Sequence, residues 1–150
     1  MLKHVLLFVL FNLFYTSTLS KKFDIPVSVR CINCICQAAT ACNSKDGCRG
    51  ETCGPFGISR EYWIQSGRPT VNRLKPDDPE SFLKCANDFY CSYFAIQKYM
   101  EKNTRDCNGD SKIDCDDFVA IHKLGRENCT QQLPESYAER YDYCQSVISD

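Results

Sequence analysis

A small, mostly helical α+β domain held together by disulfides is the fold class this sequence predicts, and three observations lead there. Twelve cysteines, all beyond position 30, come in the even count and at the density of secreted, covalently stapled domains. Beyond residue 80, apolar residues recur every three to four positions, the period of amphipathic helices. Glycine and proline crowd into residues 47–57, where a short hairpin around Phe56 and Ile58 is the most that the pattern supports. The expected β element is therefore meagre and lies near residues 53–60.

The cysteines divide into a crowded group, Cys31, Cys34, Cys36, Cys42, Cys48 and Cys53, and a dispersed one, Cys85, Cys91, Cys107, Cys115, Cys129 and Cys144. The run Cys31-Ile-Asn-Cys34-Ile-Cys36 also fits thiolate metal ligands. A zinc site usually needs a second, separated Cys-x-x-Cys, and none follows. Residues 1–20 read as a secretory signal peptide, with Lys3 and His4 ahead of an apolar run from Val5 to Tyr15 and small residues up to Ser20. The reading is thus a signal peptide at 1–20, a loose leader at 21–30 and one domain at 31–150, secreted and monomeric. Loss of Lys3 with the signal moves the formal net charge from −1 to −2. So weak a field gives no reason to expect nucleic acid or an anionic membrane as partner.

The individual elements follow from spacing and punctuation. Ile32, Ile35, Cys36, Ala39 and Cys42 mark a short helix over 31–43. Asp78-Pro79-Glu80-Ser81 has the cap, the proline and the acid of a helix start. Phe82, Leu83 and Ala86 form one apolar face, and Tyr90, Phe94, Gln97 and Met100 continue at helical spacing. Phe118, Ile121, His122 and Leu124 form another, stopped by Gly125. A last helix opens at Pro134-Glu135 and turns Tyr137, Tyr141, Cys144 and Ile148 inward. Asn128-Cys129-Thr130 fits the N-glycosylation triplet, with a bonded cysteine expected in its middle position.

Several of these segments together carry a family resemblance. Cys31-Ile-Asn-Cys34-Ile-Cys36, Cys53-Gly54-Pro55-Phe56-Gly57-Ile58, Tyr62-Trp63, Gly67-Arg68-Pro69, Gln97-Lys98-Tyr99-Met100 and Asp117-Phe118-Val119-Ala120-Ile121-His122 resemble the signature of the invertebrate-type lysozymes, or destabilase family. The resemblance covers nearly all of residues 31–150. It implies a lysozyme-like fold, no cofactor requirement, and action on bacterial peptidoglycan in antibacterial defence or digestion. The slightly acidic balance leans toward digestion, since cationic attack on membranes needs positive charge. Ser66 and Ala95 stand where fuller members of the family carry two more cysteines, a pair whose joint loss keeps the count even.

Cleavage of a β-1,4 link between amino sugars needs two carboxyls about the scissile oxygen, one a protonated acid and one ionised, about 5 Å apart in retaining enzymes. The resemblance places the acid three residues after Cys36, and Ala39 occupies that position. It places the second carboxyl three residues after Cys48, at Glu51, in a loop shorter than the family's. Glu51 is a candidate stabiliser or an exposed loop acid. Gln37 and Thr40 cannot deliver a proton, and Asp46 and Glu61 lie at the wrong offsets. Hydrolysis is therefore expected to be impaired, with a non-catalytic glycan-binding or extracellular interaction protein as the alternative. The isopeptidase activity credited to some relatives needs a Ser and a Lys where this chain has Thr52 and Ser59-Arg60. Phe56, Tyr62 and Trp63 are candidate sugar-stacking residues or core. His122 is either a satisfied structural histidine or a participant in chemistry.

Asp106, Asn108, Asp110, Asp114 and Asp117 fall at oxygen positions of an EF-hand-like loop, a candidate structural calcium site. The same residues also suit Asx turns and helix caps. Cys107 and Cys115 within this loop are close enough in sequence to be considered partners.

Overall fold

The computed structural model describes residues 26–148 except 44 and 46. The expected signal peptide at 1–20, most of the leader and Asp46 lie outside the described residues. Helix α1, Val29–Thr40, opens on Ser28, whose hydroxyl accepts the Cys31 N–H at 3.2 Å, so the helix begins two residues earlier than its cysteines suggested. Val27 is fully buried and exchanges backbone hydrogen bonds with the Gln97 side chain, so the last leader residues are docked rather than loose. Cys31, Ile32, Cys34, Ile35, Cys36 and Ala38 form the buried face of α1. The Thr40 hydroxyl donates to the Pro55 carbonyl and ties the end of α1 to the sheet.

Three two-residue strands, β1 Cys48–Arg49, β2 Thr52–Cys53 and β3 Ile58–Ser59, pair antiparallel in that order. This is one strand more than a hairpin. Cys48 and Cys53 are opposite each other in the register and are bridged. Gly54 is obligatory: a Cβ there would lie 1.7 Å from the Ala86 carbonyl oxygen, and its φ is +75°. This close backbone approach seats the sheet on α3, Ser81–Asn87. Between them runs α2, Arg60–Gln65, capped by the Ser59 hydroxyl on the Tyr62 N–H.

The Asp78 carboxylate accepts the Glu80 N–H and makes a turn, so α3 starts just beyond the expected Asp-Pro-Glu signal. At Asp88 the chain turns extended, and its carboxylate caps α4, Phe89–Asn103, on the Cys91 N–H. The inward face of α4 is Cys91, Ala95, Ile96, Gln97, Tyr99 and Met100. The expected stripe through Tyr90 and Phe94 is corrected: Tyr90 is 81% and Phe94 42% exposed. Helix α5, Cys115–Leu124, carries a capping box between Asp114 and Asp117 and ends at Gly125. Helix α6, Glu135–Val147, buries Tyr137, Tyr141 and Cys144.

All twelve cysteines are bridged, which replaces the metal alternative with staples. Cys34–Cys144 bolts α1 to α6, the most extensively packed helix pair, and Cys31–Cys115 bolts α1 to the start of α5. Cys36–Cys42, Cys48–Cys53 and Cys85–Cys91 close short loops. Cys107 pairs with Cys129, which corrects the Cys107–Cys115 pairing considered from sequence spacing. Among the described residues no helix is long and apolar enough to cross a membrane.

Candidate functional site

A cleft of about 320 Å³ opens where the end of α1, the three-stranded sheet, α5 and α6 converge. Ala39 and Thr40 come from α1, Arg49, Thr52 and Ser59 from the strands, His122 and Lys123 from α5, and Tyr137 from α6. Gly57 marks its floor. A Cβ on Gly57 would meet Thr40 Cγ2 at 3.7 Å and both Ala39 Cβ and Thr52 Oγ1 at 3.9 Å. Position 39 therefore faces position 52 across one residue's breadth. Arg140 reinforces this end of α1 from outside, its guanidinium donating through Nε to the Ala38 carbonyl at 2.8 Å.

No aspartate or glutamate is among the described lining residues. Glu51 occupies the exposed two-residue turn between β1 and β2 and does not line the cleft. Glu61 sits exposed on α2 and accepts from Gln65. Among the described residues, the charged groups that line the cleft are Arg49 and Lys123, both cations.

His122 is a structural bridge in the cleft wall. Its Nε2–H donates to the Phe56 carbonyl at 2.8 Å, and its Nδ1 accepts the Tyr62 hydroxyl at 3.3 Å. Burial pushes its pKa down to about 4, the Phe56 carbonyl opposes that shift and nearby Lys123 adds to it. The ring is therefore neutral at physiological pH, with both nitrogens engaged. Tyr62 is held from its other side by Tyr99, ring centroids 3.8 Å apart and nearly parallel. Burial first, then the neighbouring Tyr99 and Tyr137, raise the Tyr62 pKa well above the ordinary phenol value.

The aromatic residues expected to stack on sugar are arranged differently from one another. Trp63 is 1% exposed, packs against Phe82, donates its indole N–H to the Pro69 carbonyl at 2.7 Å and lies off the cleft. Phe56 borders the cleft, but its buried ring leans on Phe89. Tyr62 also lines the cleft, with one face already covered by Tyr99. Tyr137, Lys123 and Arg49 escaped the sequence reading. Tyr137 was legible only as an inward residue of the last helix, and no spacing rule joins it to β1 or α5.

The acidic loop gives its oxygens to backbone hydrogen bonds. Asp106 accepts the Gly109 and Ser111 N–H groups, Asn108 that of Asp110, and Asp110 that of Lys112. Asp114 caps α5 on the Asp116 N–H, while buried Asp117 accepts from Cys107 and Asp114. Among the described residues no group of three or more histidine, cysteine or acidic side chains is gathered as a metal ion would need. The turn-and-cap role thus accounts for residues that sequence also placed in a calcium loop.

Known proteins resemble this chain over the same region. The profile of the family described as Destabilase matches residues 28–144. Lysozyme 1 of Crassostrea virginica is 31% identical over 118 residues, 76% of this chain, though the match spans only 58% of that relative's length. The lysozyme of Meretrix lusoria is 30% identical over 118 residues, covering 76% of this chain and 87% of its own. Among solved structures, a chain in the complex of Aeromonas hydrophila PliI with Meretrix lusoria lysozyme superposes with a TM-score of 0.61 at 28% identity. That match covers 81% of this chain and 91% of the other.

Proposed function

We propose a function from one premise: the chain belongs to the destabilase family, the family of its lysozyme relatives. Within that peptidoglycan-acting family, this protein is a secreted recogniser of cell-wall glycan whose hydrolysis is severely weakened. The carrying observation is that Ala39 stands on the cleft floor and no described lining residue is a carboxylate. Glycoside cleavage requires an acid that protonates the departing oxygen and an anion that balances the developing positive charge on the sugar. A methyl group does neither.

The other lining groups do not substitute. His122 has given up its proton by neutral pH, and its remaining N–H belongs to the Phe56 carbonyl. The raised phenols of Tyr62 and Tyr137 are proton-bearing but far too weak as acids. Arg49 and Lys123 add positive charge, the sign opposite to that which an oxocarbenium-like transition state needs. The hydroxyls of Thr40, Thr52 and Ser59 remain suited to holding sugar hydroxyls.

Clearing of a peptidoglycan suspension, run beside a pull-down on insoluble peptidoglycan, tests this reading. Retention on the wall with little clearing is expected. Clearing at the rate of an active lysozyme would overturn the impaired-site claim, and failure to bind the wall would leave only an extracellular interaction role.

A further inference from the structure

Asn128-Cys129-Thr130 is the one Asn-x-Ser/Thr triplet in the sequence, and the cell-wall reading makes no use of it. Such a triplet can carry a glycan only where it reaches the surface. Here it lies in the turns between α5 and α6, with Asn128 and Thr130 both exposed. The Asn128 carboxamide accepts one side-chain hydrogen bond, from Gln131 Nε2 to its Oδ1 at 3.2 Å, in an exposed setting. A sugar carried on Nδ2 leaves that acceptor in place. Cys129 and Thr130 border a groove of about 700 Å³ whose described lining shares no residue with that of the cleft. A glycan on Asn128 is therefore compatible with an open cleft.

The middle residue of the triplet sets a condition. Cys129 is 3% exposed and bridged to Cys107. Beside it the Asn128 N–H donates to the Gly125 carbonyl at 3.2 Å, and the Gln131 N–H donates to the Asn128 carbonyl at 2.9 Å. Cys107 is held in turn, its N–H donating at 2.7 Å to the buried Asp117 carboxylate. An amide nitrogen is a weak nucleophile, because its lone pair is delocalised into the carbonyl. An enzyme that glycosylates it has to grip the carboxamide and the hydroxyl two residues on together, in an accessible stretch of chain. The closed bridge and the two turn hydrogen bonds withhold that stretch.

We propose that Asn128 is an N-glycosylation site that is filled before the Cys107–Cys129 bridge closes and is shut to modification afterwards. This rests on the secreted reading above. The donor is a lipid-pyrophosphate-linked oligosaccharide of the secretory pathway. Nδ2 bonds to the anomeric carbon of its first sugar, the bond from that carbon to the pyrophosphate oxygen breaks with its electron pair, and Nδ2 gives up one proton. Bridge closure is a separate step, in which two thiols lose two electrons and two protons to a disulfide donor of the same compartment. Cys107 precedes Cys129 by 22 residues, so synthesis at about 5–20 residues per second presents it roughly 1–4 s ahead of its partner. Disulfide closure takes seconds or longer. The two events run on one timescale, and the protein is made as a mixture of modified and bare chains.

The test is expression of the full chain in a eukaryotic secretory cell line. Intact masses are read in medium and lysate, with and without an amidase that removes N-glycans and leaves an aspartate in place of the modified asparagine. Wild type should give two species, of which the heavier collapses on amidase treatment. Asn128→Gln and Thr130→Ala should each abolish the heavier one. Brief exposure of the cells to dithiothreitol during synthesis, and independently Cys107→Ser, should raise the modified fraction about twofold. The reductant arm keeps the natural sequence, and the lysate is read as well as the medium, so the outcome does not depend on whether Cys107→Ser folds. Bridged, unmodified protein in the medium of treated and untreated cells overturns the site and leaves secretion standing. A modified fraction that neither reductant nor Cys107→Ser raises overturns the order of events. Unprocessed chain confined to the cytosol overturns secretion and this inference together.

Discussion

Acidification from pH 7 to pH 4.5 should unload the cleft wall through one side chain, His122. In the unfolded chain this histidine titrates near 6.5, and in the folded protein at about 4, because burial disfavours the charged ring. The folded pKa of this base is depressed, so between those two values the unfolded state binds the additional proton. Stability therefore rises with pH across that window and is lost as pH falls from about 6.5 toward 4. Linkage over these two values gives a loss of about 2 kcal/mol between pH 7 and pH 4.5. For a domain of this size that corresponds to a fall of roughly 5–10 °C in melting temperature.

The assay is thermal unfolding by circular dichroism at closely spaced pH values, on wild type and on His122→Gln. Glutamine can still donate to the Phe56 carbonyl but has no proton to gain. The variant should be flatter in the pH 5–6.5 interval, where carboxylates have largely finished titrating and where His4 is the chain's only other histidine. The same steep slope in both proteins would refute the assignment of acid sensitivity to His122. A flat wild-type profile would refute the buried, neutral ring itself.

Three further outcomes are expected. Ala39→Glu should raise wall clearing about a hundredfold, the low end for a positioned acid, and Ala39→Glu combined with Thr52→Asp should raise it further, because positions 39 and 52 both border Gly57; turbidity rates check both, and no gain from either would place the catalytic deficit elsewhere. Removing Cys34–Cys144, whose partners are 110 residues apart, should cost about 5 kcal/mol in the chain-entropy account, against about 2 for Cys48–Cys53, separated by 5, and denaturant midpoints of the paired alanine variants measure the difference. Calorimetry at about millimolar calcium should give no binding heat, since the oxygens of the 106–117 loop are engaged by backbone N–H groups; a binding isotherm would restore the EF-hand-like reading.

The parts legible in the sequence were those set by local chemistry. The glycine-rich turn around Gly54 and the stop at Gly125 each answer a backbone need within a few residues, and the caps offered at Asp114 and Asp117 belong to the same class, whereas the Ser28 cap that starts α1 two residues before Cys31 was not read. The stripe through Tyr90 and Phe94 failed for a physical reason. Helix α4 packs through Cys91, Ala95 and Ile96, whose smaller side chains admit close neighbours, and its larger aromatics turn outward. Helix α2 was overlooked because six residues contain too little periodicity, although Ser59 supplies a cap signal. Disulfide partners and the cationic cleft wall were beyond reach of spacing. Both are assembled from segments as distant as β1 and α6, and only packing brings those together.

The absence of a carboxylate at position 39 also has a consequence for stability. A glutamate there would enter a floor bordered by Thr40, Thr52 and Gly57, at a partly buried position. Desolvation would favour its protonated form, the state a general acid requires, and the same penalty would subtract from folding free energy. Alanine removes that penalty at the partly buried C-terminal end of α1, where it is also the best helix former. The core and the six bridges make no use of a residue 39 carboxylate, so the scaffold persists without it. Ala39→Glu should accordingly gain clearing and lose about 1 kcal/mol together, the trade expected when a strained catalytic group is restored to a relaxed cleft. A variant that gains activity with no loss of stability would mean that the floor is better solvated than its lining residues indicate.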